Sequence, residues 1–311
     1  MSVGRVPWGL GVVQRAGGGG GGAVAAFVSR GLDRFWPLPS PCPGAGGGSL
    51  LPLIEAWSRE GPPPAYTEGP RGPGEPLGEG ARLLAPLIPS RNIMCVGKNY
   101  LEHVGEVDST MPGISKAKVP EFPIIFTKAP SAVAGPGEPV VFPEGLSERV
   151  DYEGEVAVVI GRGGRDIPRE RALEHVWGFT VMNDLTARDV QKRHQQWFLG
   201  KSIDGFAPLG PVLVPKERVP EKLHLTTRVN GELRQECRDC LNTLIFDVPH
   251  LLATISRSLT LQPGDIIATG TPRGVGAGFD PAKFLRVGDT VSVAVDGIGT
   301  LENTFISPSR L

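Results

Sequence analysis

The chain has 311 residues, 40% of them hydrophobic, enough for one large domain with a small companion or for two medium ones. Its formal net charge of −1 argues against a nucleic-acid partner or a membrane-surface role, and no apolar run approaches the ~20 residues that span a bilayer. The 43 glycines and 31 prolines predict many turns and short strands, not a helical bundle.

Residues 1–60 carry three short apolar segments. Trp8–Val13 and Ala23–Val28 read as a hairpin across the glycine run 17–22, and Leu50–Trp57 as a short helix. No acid precedes Asp33, whereas Arg5, Arg15 and Arg30 do, a faint match to a mitochondrial presequence. The segment lacks a clean amphipathic helix, however, and reads better as a small β-rich N-terminal subdomain. Residues 61–87 form a Pro/Gly-rich linker without periodicity. The main domain, 88–311, holds candidate strands at Ile93–Val96, Ile124–Thr127, Val140–Phe142, Glu155–Ile160, Phe179–Asn183, Gly210–Val214, Leu225–Val229, Asp265–Thr269 and Thr290–Val295. Helices are expected at Pro168–His175 and Val248–Ser258. This is a β-dominated α+β pattern, which disfavours a βαβ repeat.

Four cysteines occur. Cys95 lies inside an apolar strand and reads as a small buried hydrophobe. Cys237 and Cys240 have redox or zinc spacing but lack a second ligand pair, and Cys42 stands alone. No disulfide framework is implied, so a reducing compartment is expected, the cytoplasm or the mitochondrial matrix.

The most informative run is Asp151-Tyr-Glu153-Gly-Glu155, which leads into the apolar strand Val156–Ile160. Side chains alternate across a strand, so Glu153 and Glu155 project from one face about 7 Å apart at the backbone. Two like charges at the end of an apolar strand repel and lose water, and a shared cation is the usual compensation. Asp184 ends another apolar stretch, Trp177–Asn183, and can complete the cage. Three hard oxygen ligands favour Mg²⁺ or Mn²⁺ over zinc. An exposed strand end with solvated glutamates is the competing reading.

His103 and Glu106, three residues apart, share a face on a helical turn, and a carboxylate that orients an imidazole makes a general base. On spacing alone, a surface histidine is the better reading of that pair. Arg188 and Lys201 follow Asp184 closely in the chain. They are either counter-ions for the acids or binders of a substrate carboxylate and oxyanion. The strand Ile266–Thr269 runs into the glycine-rich turn 270–278, which lacks a Gly-Lys-Ser/Thr ending and a following amphipathic helix. It reads as a substrate-lining turn offering backbone N–H groups and the Thr271 hydroxyl. His175, His194, His224 and His250 read as structural.

Gly97-Lys-Asn-Tyr-Leu-Glu-His103, Asp151–Glu155, Asn183-Asp-Leu-Thr-Ala-Arg-Asp189, Gly200-Lys-Ser202 and Thr269-Gly-Thr-Pro-Arg-Gly-Val-Gly276 stand in an order that resembles the fumarylacetoacetate hydrolase superfamily over about residues 88–306. The segment Gln196–Pro211 is most similar to the subgroup called fumarylacetoacetate hydrolase domain-containing protein 2. Residues 1–60 resemble, more weakly, the subdomain that precedes this core in several members; the six-glycine run and long linker depart from it. The resemblance implies a mixed β-sandwich roll that usually forms a homodimer. It implies a metal, normally Mg²⁺ with Mn²⁺ or Ca²⁺ in some members, on Glu153, Glu155 and Asp184. It implies His103 and Glu106 as the acid/base pair on a loop that orders over substrate, and Lys201 at the oxyanion. Arg188, Gln191 and Thr271 become substrate contacts.

The expected activity is metal-dependent cleavage of a C–C bond in an acylpyruvate- or fumarylacetoacetate-type 2-oxo acid. Oxaloacetate keto–enol tautomerisation or decarboxylation is the alternative, since all three chemistries pass through one enolate. A catalytically dead binding module is a third reading, against which the presence of all these residues argues.

Overall fold

The computed structural model describes residues 8–15, 23–29, 32–38, 49–62, 70, 73–77, 81–110 and 119–310. The glycine run 17–22, Cys42 and part of the 61–87 segment lie outside the described residues.

The strand Gly154–Ile160 is apolar, β-branched and wholly buried because it lies inside the largest sheet, antiparallel to Val176–Asn183 on one side and to Ile266–Ala268 on the other. From Val176–Asn183 the sheet continues through Ala207–Pro215 to Trp8–Arg15, Ala23–Ser29, Arg34–Pro37 and Glu75–Pro76. From Ile266–Ala268 it continues through Ile93–Gly97 to an outer strand, Ile124–Lys128. The expected hairpin of Trp8–Arg15 and Ala23–Ser29 forms, and it joins the same sheet through Leu10 opposite Leu213. Ala81–Leu84 pairs with Trp8–Arg15 as well.

A second sheet runs Glu232–Cys237, Leu225–Val229, Thr290–Val295, Gly299–Ile306 and Val140–Val141. It packs on one face of the large sheet. Val156, Val158, Val181 and Val212 from the large sheet join Leu225, Val293, Leu301 and Phe305 in one core. The opposite face carries Ala157, Val159, Trp177 and Ile266, covered by Leu53 and Ile54 of the helix Leu51–Glu60. The β-dominated α+β fold expected from the sequence is the fold observed, a strand-rich sandwich with few helices. Val248–Ser258 is helical as expected, capped by the Asp247 carboxylate on the His250 N–H. Arg169–His175 is a 3₁₀ run.

The sandwich explains the glycine between the two glutamates. A Cβ on Gly154 would lie 2.2 Å from Thr227 Oγ1 and 2.9 Å from Val293 Cγ1 on the facing sheet. Residue 154 therefore faces the second sheet, and alternation sends Glu153 and Glu155 to the other side together. Gly154→Ala should cost about 1–3 kcal/mol by overpacking. Thr227→Ala in the same chain should recover part of it, as read from denaturant midpoints; an unchanged midpoint in Gly154→Ala would refute this contact.

Candidate metal centre and proton-transfer site

Glu153, Glu155 and Asp184 are all buried, and each offers a carboxylate oxygen within 4.8 Å of the others'. The backbone builds this convergence. Asn183 and Asp184 continue the strand partnered with Gly154–Ile160, the Asp184 N–H donates to the Glu153 carbonyl (2.8 Å), and Asn183 Oδ1 accepts the Glu153 N–H (3.0 Å). The solvated-strand-end reading is thereby excluded.

Three buried cations hold the acids. Lys201 Nζ donates to Glu153 Oε2 (2.5 Å) and Asp184 Oδ2 (2.6 Å). Arg188 donates through Nε to Asp151 Oδ2 (2.9 Å) and through Nη2 to Glu153 Oε1 (2.6 Å). Lys128, which the sequence reading did not single out, donates to Asp184 Oδ1 (2.6 Å) and to the Leu185 carbonyl (2.8 Å) and is wholly buried. Its only signal in the sequence is a lone basic residue ending an apolar strand, the same signal that marks Asp184. Gly200 lets Lys201 reach in: a Cβ there would meet the Gln191 N at 2.7 Å and the Ala187 carbonyl at 2.9 Å, so the turn of Phe198–Lys201 lies directly on Arg188–His194.

The electrostatics divide the three acids. Burial opposes ionisation of Glu153, yet Arg188 and Lys201 overcome it and hold its carboxyl well below the usual range. Glu155 is pushed well above that range, first by burial and then by the charges of Asp184 and Glu153. It accepts the Gly270 N–H (2.8 Å), but among the described residues no salt bridge reaches it. Four buried carboxylates, Asp151 included, thus face three buried cations. This donor set, hard, anionic and short of one positive charge, fits a divalent cation such as Mg²⁺ or Mn²⁺.

The helix Leu101–Thr110 places His103 and Glu106 beside the cage, where the resemblance implied a loop. His103 is 5% exposed, not a surface residue, and its Nδ1 lies 3.3 Å from Glu106 Oε2. Glu106 also accepts the Gly274 N–H through both oxygens (2.9 and 3.1 Å). The glycine-rich turn differs from expectation in its use. Its N–H groups go to carboxylates: Gly270 to Glu155, Gly274 to Glu106, and Gly276 and Ala277 to Asp151 (2.6 and 3.0 Å). Thr271 Oγ1 donates to the Gly154 carbonyl (3.0 Å) and accepts from Gln235 Nε2 (2.8 Å). Asn99, also unflagged by the sequence, ties this turn to the strand Ile93–Gly97 through Nδ2 to the Thr269 and Phe246 carbonyls (2.8 and 3.0 Å).

All nine expected site residues except Glu106 line one cavity of about 40 Å³, together with Gly97, Lys98, Phe126 and Trp197. It is small; two other surface clefts measure about 460 and 620 Å³. Cys237 borders the first of those clefts and, like Cys95 and Cys240, is a free thiol.

The C-terminal domain model of fumarylacetoacetate hydrolases matches residues 92–306. The chain belongs to that family. It is 52% identical over 225 residues to oxaloacetate tautomerase YisK of Bacillus subtilis, covering 71% of this chain and 72% of that one. Fumarylacetoacetate hydrolase from Exiguobacterium antarcticum is 39% identical and superposes with a TM-score of 0.77 over 96% of this chain and 99% of its own. Fumarylpyruvate hydrolase from Pseudomonas aeruginosa, solved with Mn²⁺ and pyruvate, is 32% identical with a TM-score of 0.60 over 73% and 92%.

Two substitutions should move stability in opposite directions. Glu155→Gln removes a carboxyl whose ionisation burial and the neighbouring acids oppose, so the metal-free protein should melt roughly 2 °C or more higher while Mn²⁺ affinity by calorimetry falls at least about ten-fold. Lys128→Met leaves Asp184 short of a buried partner and should cost the metal-free protein about 2–3 kcal/mol, partly recovered by Mn²⁺. Shifts of the same sign in both variants would contradict this charge balance.

Proposed function

We propose that the protein catalyses keto–enol tautomerisation of oxaloacetate or a close 2-oxo acid. The observation that carries this reading is the buried three-carboxylate cage sharing one small cavity with His103, whose Nδ1 is held by Glu106 behind it. Glu153, Glu155 and Asp184 would hold a divalent ion, Mg²⁺ by expectation with Mn²⁺ or Ca²⁺ as alternatives, whose chemistry when bound is Lewis-acid polarisation of the 2-oxo group.

The protein's own groups handle the proton. Glu106 takes the His103 Nδ1–H, which leaves Nε2 as the base for the proton on C3 of the substrate. The C–H electron pair becomes the C2–C3 double bond, the carbonyl pair moves to oxygen, and that oxygen receives the proton. Lys201 donates to the oxygen as charge develops, and Arg188, Gln191 and Thr271 orient the carboxylate end. No water is consumed and no bond between carbons breaks. Relatedness supports this reading over the hydrolase expected first: 52% identity to an enzyme named oxaloacetate tautomerase outweighs 39% to one named a hydrolase. C–C hydrolysis stays the second reading, favoured by the two hydrolase structures among the relatives.

A homodimer belongs to the proposal. The exposed side chains Phe122, Ile125, Phe198 and Leu199, at and beside the outer strand of the large sheet, support it.

The deciding assay follows enol-oxaloacetate and acetylpyruvate side by side by absorbance, with Mn²⁺ and with chelator. Wild type should accelerate ketonisation only when metal is present. His103→Gln should lose at least roughly 100-fold in kcat while Mn²⁺ affinity stays within about two-fold. Cleavage of acetylpyruvate without faster ketonisation would replace the tautomerase with the hydrolase.

A further inference from the structure

The cavity is lined by three basic side chains besides His103: Arg188, Lys201 and Lys98. Arg188, bound to Asp151 and Glu153, and Lys201, bound to Glu153 and Asp184, form part of the floor of the site. Lys98 differs in position. It follows the last residue of the strand Ile93–Gly97 and is half-buried, whereas Arg188 and Lys201 are almost wholly enclosed.

Its backbone is unusual. Lys98 adopts φ 57°, the left-handed region that costs a side-chain-bearing residue about 1 kcal/mol and that glycine enters freely. The neighbours impose the turn. A Cβ on Gly97 would lie 2.5 Å from the Trp197 ring, and Asn99 is clamped by Phe246 N–H and by the carbonyls of Phe246 and Thr269. Between those two fixed points the chain reverses, and a lysine sits where a glycine would be less strained. A strained non-glycine residue on a cavity wall points to a use for its side chain.

The charges say what that use is. The 2-oxo carboxylate and keto oxygen of a substrate belong at the buried acids and their cations, so the substrate's far end lies toward the half-exposed rim. A dicarboxylic acid brings a second negative charge there, and the rim offers an ammonium. We propose that Lys98 is the specificity-determining residue that grips the distal carboxylate of a dicarboxylic 2-oxo acid, so that the site prefers dianionic over monoanionic substrates. This inference rests on the 2-oxo acid reading above but not on whether tautomerisation or hydrolysis follows binding.

Acetylpyruvate and oxaloacetate make a matched pair of probes, because an acetyl group in one replaces the distal carboxylate of the other. Calorimetric competition on the Mn²⁺-loaded full-length protein gives the ratio of their affinities without using catalysis. Lys98→Met should lower the oxaloacetate/acetylpyruvate ratio at least about ten-fold, the scale of one charge-assisted contact. Lys98→Gly relieves the left-handed strain, so it should fold at least as well as wild type and lose the same selectivity. Lys98→Arg should retain most of it. An unchanged ratio, or equal weakening of both ligands, in Lys98→Met and Lys98→Gly would overturn the assignment. Failure of wild type to speed ketonisation, with the Lys98-dependent ratio intact, would remove the tautomerase reading and leave this one standing.

Discussion

The structure depends on an imbalance of buried charge. Asp151, Glu153, Glu155 and Asp184 are enclosed in a fold that supplies Lys128, Arg188 and Lys201 against them. An isolated buried carboxylate is costly enough that it ordinarily takes up a proton, and the rise in the Glu155 carboxyl reflects that tendency. The cations bridge or pin the other three acids, and they hold the Glu153 carboxyl well below its usual range. Lys201 spans Glu153 and Asp184, Arg188 spans Asp151 and Glu153, and Lys128 fixes the far oxygen of Asp184. Such a cluster is a poor way to stabilise a fold, since apolar replacements of similar volume often do as well or better. Its value lies in the deficit it maintains, which a divalent cation relieves.

Much of this was legible in the sequence for a simple reason: acids at the ends of apolar strands violate the ordinary pattern. Glu153, Glu155 and Asp184 announce themselves that way, and the alternation rule places the two glutamates on one side before any coordinates are known. The reason for Gly154 was not legible, because it is a contact with Thr227, more than seventy residues away, on the facing sheet. Lys128 escaped because a terminal lysine on a short strand is also what an ordinary solvated strand end looks like. Asn99 escaped because its bonds join carbonyls from two distant segments, and no local spacing encodes that.

Among the strands that went unread, two of the second sheet escaped for opposite reasons. Glu232–Cys237 is polar along nearly its whole length, with Gln235 its one buried residue, so it carries no hydrophobic period. Gly299–Ile306 does alternate, with Leu301, Asn303 and Phe305 inward and Glu302 and Thr304 outward, but the buried Asn303 interrupts the apolar set. Asn303 belongs there because its side chain satisfies the Gly135 and Glu138 carbonyls (2.8 and 2.9 Å). Pattern reading fails where a polar residue is buried to satisfy backbone.

The glycine-rich turn after Ile266–Ala268 makes one working unit of these parts. Gly270 donates to Glu155, Gly274 to Glu106, and Gly276 and Ala277 to Asp151, which in turn holds Arg188. One turn therefore sets a cage carboxylate, the partner of His103 and the anchor of a cavity-lining guanidinium. Space as well as hydrogen bonding demands glycine: a Cβ on Gly270 would meet Asn99 Cβ at 2.9 Å, and one on Gly278 would meet the Glu106 carboxyl at 2.1 Å. Because Glu106 rides on the helix Leu101–Thr110 while the cage sits on the sheet, their relative placement rests on these backbone donors. A displacement of the turn would shift the carboxylate cage and the His103–Glu106 pair together, so the two are coupled through the backbone N–H groups of Gly270 and Gly274.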